Sequence, residues 1–278
     1  EENLGISIEH LEEIFRNDNP AAVVLVHALG FPARLDEIIA LCDRFNVILL
    51  EDSCETVGST YHDTKTGNFG LMSTFSFYFG HHISTIEGGM VSTSDKEMHE
   101  LLVMLRSHGW GRDLSDTANH RLKQRFGVDD FSSLYRFYYP GFNLRSTDLQ
   151  AYIGLGQLEK LDMICDVRER NFRLYDELIE NDYWKAAPCG EKISNFAYPI
   201  IHPDRKEIVE ALIDNKIETR PLICGSMGRQ PFFTSIYGDV PLYFADKVDT
   251  SGFYVPNHHG MTEEDVKKVT GVINRFTR

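Results

Sequence analysis

Apolar and polar positions recur along this chain with two periods, and the switches between those periods outline its elements. In residues 6–15, Ile8, Leu11 and Phe15 fall at helical spacing and predict a short amphipathic helix. A continuous apolar run over 22–27 predicts a buried strand, which Gly30, Phe31 and Pro32 break. Leu35, Ile38, Ile39 and Cys42 mark a helix, and 47–50 is a second apolar strand. Strand, helix and strand at this spacing predict a βαβ unit, with parallel pairing and both sheet faces covered.

Further on, Phe75, Phe77 and Phe79 alternate with Ser76 and Tyr78, predicting a strand, and 90–92 reads as its short return. Met98, Leu101, Leu102 and Leu105 predict a helix over 95–106. Residues 107–139 are polar and rich in Gly, Asp and Arg, and read as a long loop of the kind that is functional or mobile. The strongest helical pattern starts at Thr147 and runs through Ile153, Leu161, Cys165, Phe172 and Ile179. Its length predicts a bend or two pieces. We read it as a connecting helix over 147–182, joining a large domain over 1–146 to a small domain over 183–278. In the small domain 194–201 and 253–256 predict strands, and 204–215 and 262–276 helices. Glu263, Glu264 and Asp265 crowd the last helix's first turn, where the helix dipole favours acids. The expected class is α/β.

Composition narrows the function classes. A hydrophobic share of 42% and a charged share of 25% over 278 residues are those of a globular protein with a substantial core. The net charge of −14 argues against a nucleic-acid partner and against a polybasic membrane contact. No apolar run is long enough to span a bilayer, and no basic stretch followed by an apolar one suggests a secretion signal. The five cysteines stand singly, without a CxxC pair, which suggests neither a disulfide framework nor a metal site and fits a cytoplasmic protein.

Two stretches carry candidate chemistry. The second strand ends in Glu51-Asp52-Ser53-Cys54-Glu55, and ligands of open α/β sheets collect beyond the carboxyl ends of strands. An ordinary capping role for Asp52 or Ser53 is the alternative. The Phe-rich strand is followed by His81-His82, then by Glu87 and Gly88-Gly89. Imidazoles at a strand end suit proton transfer near neutral pH, although paired histidines are more often surface or packing residues.

Several ordered blocks carry a resemblance over nearly the whole chain: VVLVHALGFPARLDEIIALCDRFNVILLEDSCETVGSTY, STFSFYFGHHISTIEGGMVST, GFNLRSTDLQAYIGLGQLEKLD, IETRPLI and MTEEDVKKV. They resemble the DegT/DnrJ/EryC1/StrS sugar aminotransferases, pyridoxal-phosphate enzymes of fold type I. The resemblance implies a mostly parallel central sheet in the large domain and a smaller C-terminal α/β domain. It implies that Asp52 pairs with the pyridine nitrogen and that Ser76 binds the cofactor phosphate. Asn143 matches an asparagine that reaches the phosphate in the neighbouring subunit, which implies a homodimer with shared sites. Arg145 becomes a candidate for substrate contacts, and His108 and Arg220 are weaker ones. Glu55 stands where the family usually has a glutamine near the ring hydroxyl.

His81 stands where the family's transaminases carry the lysine that forms a Schiff base with the cofactor. A ring nitrogen lacks the primary amine for that bond, so an ordinary transaminase is disfavoured. The resemblance implies noncovalent pyridoxal or pyridoxamine phosphate, a keto-sugar linked to a nucleotide, L-glutamate as amino donor, and His81 as the base. One branch with this histidine removes the C3 hydroxyl from GDP-4-keto-6-deoxymannose. Another acts on CDP-4-keto-6-deoxyglucose and adds an iron–sulfur cluster, which the scattered cysteines do not favour. A nucleotide-sugar aminotransferase and a non-catalytic relic stay open as further readings. The family also implies a segment ahead of residue 1, on the order of 100 residues, that cups the phosphate and stacks on the ring. On this reading the chain is a fragment or a truncated form that binds cofactor weakly or not at all as it stands.

Overall fold

Parallel pairing begins at the apolar runs. In the computed structural model, which describes residues 4–277, helix α1 (Ile8–Asp18) starts on the Ser7 hydroxyl, which accepts the His10 N–H. Residues 1–3 and 278, the outer ends of the two expected domains, lie outside the described residues. Strand β1 (Ala22–Val26) leads through a tight turn at Ala28–Gly30 into α2 (Leu35–Phe45) and then β2 (Ile48–Asp52). The two strands pair in parallel from Ala22 opposite Ile48 to Val26 opposite Asp52. A small hairpin of β3 (Thr60–Tyr61) and β4 (Thr64–Lys65) follows. Strand β5 (Met72–Ser76) then adds to β2 in parallel, and β6 (Gly89–Ser92) closes the edge antiparallel to β5. The sheet order is β1-β2-β5-β6.

Helices α1 and α2 cover one face, burying Leu11, Phe15, Leu35, Ile38 and Leu41 with Leu25 and Leu49. On the other face Val24, Val26 and Ile48 are 61%, 51% and 46% exposed. The expectation of a sheet covered on both faces is therefore corrected: within the described residues one face is open. The phenylalanine alternation also outruns its strand. β5 ends at Ser76, and Phe79 is exposed in an irregular segment, although Phe77 N–H still reaches the Gly88 carbonyl at 2.9 Å.

After α3 (Lys96–Leu105), capped by Asp95, the expected long loop over 107–139 is interrupted by helix. It contains α4 (Asp116–Phe126) and a single turn, α5 (Asp130–Ser133). Ser115 caps α4 at its start and Gly127, in the left-handed region with φ 63°, ends it. Only Ala118 and Leu122 are buried on α4, too sparse a stripe to stand out in so polar a stretch. The long helical pattern divides into α6 (Asp148–Leu158), with a Thr147–Gln150 capping box, and α7 (Leu161–Leu178).

The C-terminal part builds a second sheet. Strand β7 (Ala197–Ile201), α8 (Arg205–Asp214) and the two-residue β8 (Arg220–Pro221) are followed by α9 (Pro231–Tyr237), α10 (Tyr243–Ser251), β9 (Gly252–Pro256) and α11 (Glu263–Ile273). All its pairings are antiparallel, in the order β7-β9-β8. Phe172 and Tyr175 of α7 share a core with Tyr198, Ile200, Phe253, Val255 and Val266, so α7 packs with this second sheet. No helix among the described residues is long and apolar enough to cross a membrane.

Candidate active site

The site forms where β2 and β5 end side by side. Asp52 is the last residue of β2, opposite Val26 on one side and Thr74 on the other. Its Oδ1 accepts the Cys54 N–H at 3.1 Å, and no cation pairs with it among the described residues. Just before it, Glu51 is buried and turned to the opposite face, as strand alternation requires. It accepts N–H groups from Gly67 (2.8 Å), Phe69 (2.7 Å) and Gly70 (2.7 Å), and His27 Nε2 lies 3.2 Å away. Burial alone would raise its pKa, but these hydrogen bonds outweigh burial and hold it below the usual carboxylate range. The strand end is thereby pinned from below.

The segment between β5 and β6 carries His81, and Cys54 in the turn after β2 holds it at this end. His81 Nδ1 lies 2.8 Å from the Cys54 carbonyl. A carbonyl only accepts, so Nδ1 carries the hydrogen and Nε2 keeps its lone pair. Among the described residues Nε2 makes no hydrogen bond. The Phe196 ring lies 5.2 Å from the imidazole and the Tyr78 ring 6.4 Å. Burial, with the charge of Arg168, lowers the His81 pKa; the Cys54 carbonyl and Asp52 oppose this without cancelling it. The ring is a neutral base at neutral pH. Glu55 is pushed up to about 7, by burial first and then by Asp52, while its Oε2 accepts the Leu29 N–H at 2.7 Å.

The expected residues fall into two groups. Asp52, Glu55, Ser76 and His81 belong to the end of the parallel strands, with Ser76 at the last position of β5, where its Oγ accepts the Tyr78 N–H at 3.3 Å. Arg220 approaches from the second sheet. It stands opposite Tyr254, whose ring lies 6.2 Å from that of Phe196. Burial raises the Tyr254 pKa, with Arg220 lowering it and Glu55 raising it further. The second group is His108, Asn143 and Arg145. The His108 N–H reaches the Phe142 carbonyl at 2.6 Å, Asn143 bridges Ser107, and Arg145 Nε donates to Asn143 Oδ1 at 3.3 Å. Members of this group are exposed and share no hydrogen bond, ion pair or ring contact with Asp52 or His81 among the described residues.

Several site residues escaped the sequence reading. Phe196, Tyr254 and the Cys54 carbonyl carry no local signal. Arg168 is 3% exposed and its Nη1 donates to the carbonyls of Asn195 (3.3 Å), Phe196 (2.9 Å) and Asn257. On α7 it reads as one more polar position.

A mixed sheet with parallel strands, helices against it and a carboxylate and imidazole at the strand ends are the arrangement of the pyridoxal-phosphate-dependent aminotransferase fold, which solved structures of this fold share. Residues 1–274 match the DegT/DnrJ/EryC1/StrS aminotransferase family, and the chain belongs to it. Among its relatives, GDP-4-keto-6-deoxy-D-mannose 3-dehydratase of Yersinia pseudotuberculosis is 31% identical over 98% of this chain and 71% of its own length. The enzyme of that name from Escherichia coli O55:H7 is 34% identical over 92% of this chain and 67% of its own. A solved structure of GDP-4-keto-6-deoxymannose-3-dehydratase with a trapped PLP-glutamate geminal diamine superposes with a TM-score of 0.86. It is 30% identical, over 98% of this chain and 72% of that one.

Proposed function

We propose that this chain is a 3-dehydratase that removes the C3 hydroxyl from GDP-4-keto-6-deoxymannose, using noncovalent pyridoxamine phosphate that L-glutamate regenerates. The observation that carries the reading is His81: a neutral imidazole, its tautomer set by Cys54, with Nε2 free at the strand end that bears Asp52. The relatives of that name and the PLP–glutamate structure support it.

The donor set fits the cofactor. Asp52 offers a carboxylate oxygen with no cation paired to it among the described residues, as a protonated ring nitrogen needs, and Ser76 offers a hydroxyl at a neighbouring strand end for the phosphate. When bound, pyridoxamine phosphate supplies the amine that condenses with the C4 ketone and a ring that accepts electrons. Asp52 keeps that ring protonated. Glu55, pushed up to about 7 by burial and then by Asp52, would offer a protonated carboxyl to the ring hydroxyl in part of the population near neutrality. His81 Nε2, whose lone pair the Nδ1–H tautomer leaves free, would be the group that takes a proton at the cofactor's C4′ carbon. Histidine at 81 leaves no amine there to hold the cofactor covalently.

Arg220, Arg145 and His108 are assigned to the nucleotide-sugar. Phe131, Tyr135, Leu144, Leu149 and Tyr152 are 83%, 78%, 71%, 68% and 77% exposed, an apolar surface that suits burial against a second copy. In that homodimer Asn143 reaches the partner's cofactor phosphate. The division into domains over 1–146 and 183–278, joined by 147–182, belongs to the same reading.

The test is release of 2-oxoglutarate from glutamate, coupled to 3-deoxy product, by the full-length protein with the GDP-keto-sugar. No release with any nucleotide keto-sugar refutes the proposal, and an aminated product establishes an aminotransferase instead. His81→Asn is expected to abolish turnover while leaving cofactor affinity intact; unchanged turnover removes His81 from its role.

A further inference from the structure

Beside His81 stands a second imidazole with the opposite arrangement. His82 is 2% exposed, and its Nε2 lies 2.8 Å from the Ser194 carbonyl and 3.1 Å from Ser194 Oγ. The carbonyl fixes the hydrogen on Nε2, while Nδ1 is buried with no hydrogen-bond partner among the described residues. Burial first, then the Arg168 charge, hold this ring well below the usual imidazole range. It is a fixed donor, and it is buried from solvent among the described residues.

The Ser194 contact spans 112 residues and ties the His81 segment to the entry of β7. That entry is itself fastened down. Ser194 N–H donates to Ser59 Oγ at 2.9 Å, and Ser59 Oγ donates to the Gly30 carbonyl at 3.1 Å. Two residues on, Phe196 N–H donates to the Leu29 carbonyl at 2.8 Å, and its ring stands over His81. Tyr78, Phe79 and Gly80, just before His81, are exposed, and their one hydrogen bond to it among the described residues is from the His81 N–H to the Tyr78 carbonyl at 3.0 Å. His81 is therefore held by Cys54 through its own ring, by Tyr78 through its N–H, and by Ser194 through the peptide that joins it to His82.

We infer that His82 is a positioning residue for His81: its hydrogen bond to Ser194 sets where His81 Nε2 stands relative to the reacting carbon. The inference rests on the role proposed for His81. Removing the bond lets the segment shift, and a displacement near 1 Å at a proton-transfer group costs about 100-fold in rate.

The experiment compares His82→Ala and His82→Gln in the full-length protein. Glutamine can present an amide N–H to the Ser194 carbonyl, whereas alanine cannot. For His82→Ala we expect kcat to fall about 100-fold with KM held within about twofold, and His82→Gln to recover about 10-fold of that loss. The second readout needs no substrate: the ¹⁵N resonances of His81 report a single Nδ1–H tautomer in the wild type and averaging in His82→Ala. Wild-type kcat in His82→Ala, or unaltered His81 resonances in that folded variant, overturns the inference. Should His82→Ala fail to fold, His82→Leu, which fills the space without a donor, carries both measurements. A wild type that turns over no keto-sugar counts against the proposed function, and the resonances alone then decide this point.

Discussion

Replacing Glu51 by alanine tests the support beneath the site. Its carboxylate is buried and accepts three backbone N–H groups, from Gly67, Phe69 and Gly70, with His27 Nε2 as a fourth neighbour. His27 Nδ1 accepts the Ala33 N–H at 3.1 Å, so its Nε2 carries a hydrogen and donates. Alanine leaves these four donors facing an apolar methyl. A hydrogen bond to a charged group contributes about 1.5–3 kcal/mol, and each buried donor left without a partner costs about 1–3 kcal/mol. The 67–70 turn can relax and admit water, so the sum is not reached, and we expect a loss of about 3–5 kcal/mol. That is a large part of the 5–15 kcal/mol typical of a folded chain. Urea unfolding followed by circular dichroism should show a lower midpoint at unchanged slope. Glu51→Gln, which keeps one acceptor oxygen, should lose about half as much. Acid has the same target. The folded pKa lies below the unfolded value, so the stabilisation is complete above about pH 5 and is lost as pH falls through the folded value. A loss below about 1 kcal/mol in Glu51→Ala, or equal acid sensitivity of wild type and variant, refutes the reasoning.

Glu55 has the opposite sign. Its folded pKa of about 7 lies above the unfolded value, so its contribution is full below about pH 4 and is lost as pH rises through 7. Against Glu55→Gln, the wild type should lose up to about 3 kcal/mol of stability between pH 5 and 8, read from urea midpoints at both; parallel midpoints would exclude the shift. Gly30 has φ 97°, and a Cβ there would lie 2.4 Å from Asn195 Cα. Gly30→Ala should therefore destabilise by about 2 kcal/mol or more and loosen the segment that carries Phe196, and a thermal midpoint equal to wild type would contradict this.

How much of this was legible in the residues depends on the range of the forces involved. Hydrophobic periodicity and capping chemistry act within a few residues, so the sequence by itself determined the βαβ unit of β1, α2 and β2. The same forces divide α6 from α7 and place acids at the start of α11. They also put Asp52 at a strand end, because a continuous apolar run stops there. Where the local signal was sparse the reading slipped: α4 buries only two apolar side chains, and the phenylalanine alternation continues past the last paired residue of β5. The open face of the first sheet could not be read from Val24 and Val26, since an apolar strand residue has the same pattern whether or not a neighbour covers it. The tertiary structure alone decided how the two histidines differ. Both are imidazoles in one loop, and their separate characters come from carbonyls 27 and 112 residues away. Cys54 reaches His81 within the first sheet's own segment, whereas Ser194, the Phe196 ring and the Arg168 charge come to the histidines from the part of the chain that packs with the second sheet. The first contact leaves one imidazole free to accept a proton, and the second fixes the other as a donor.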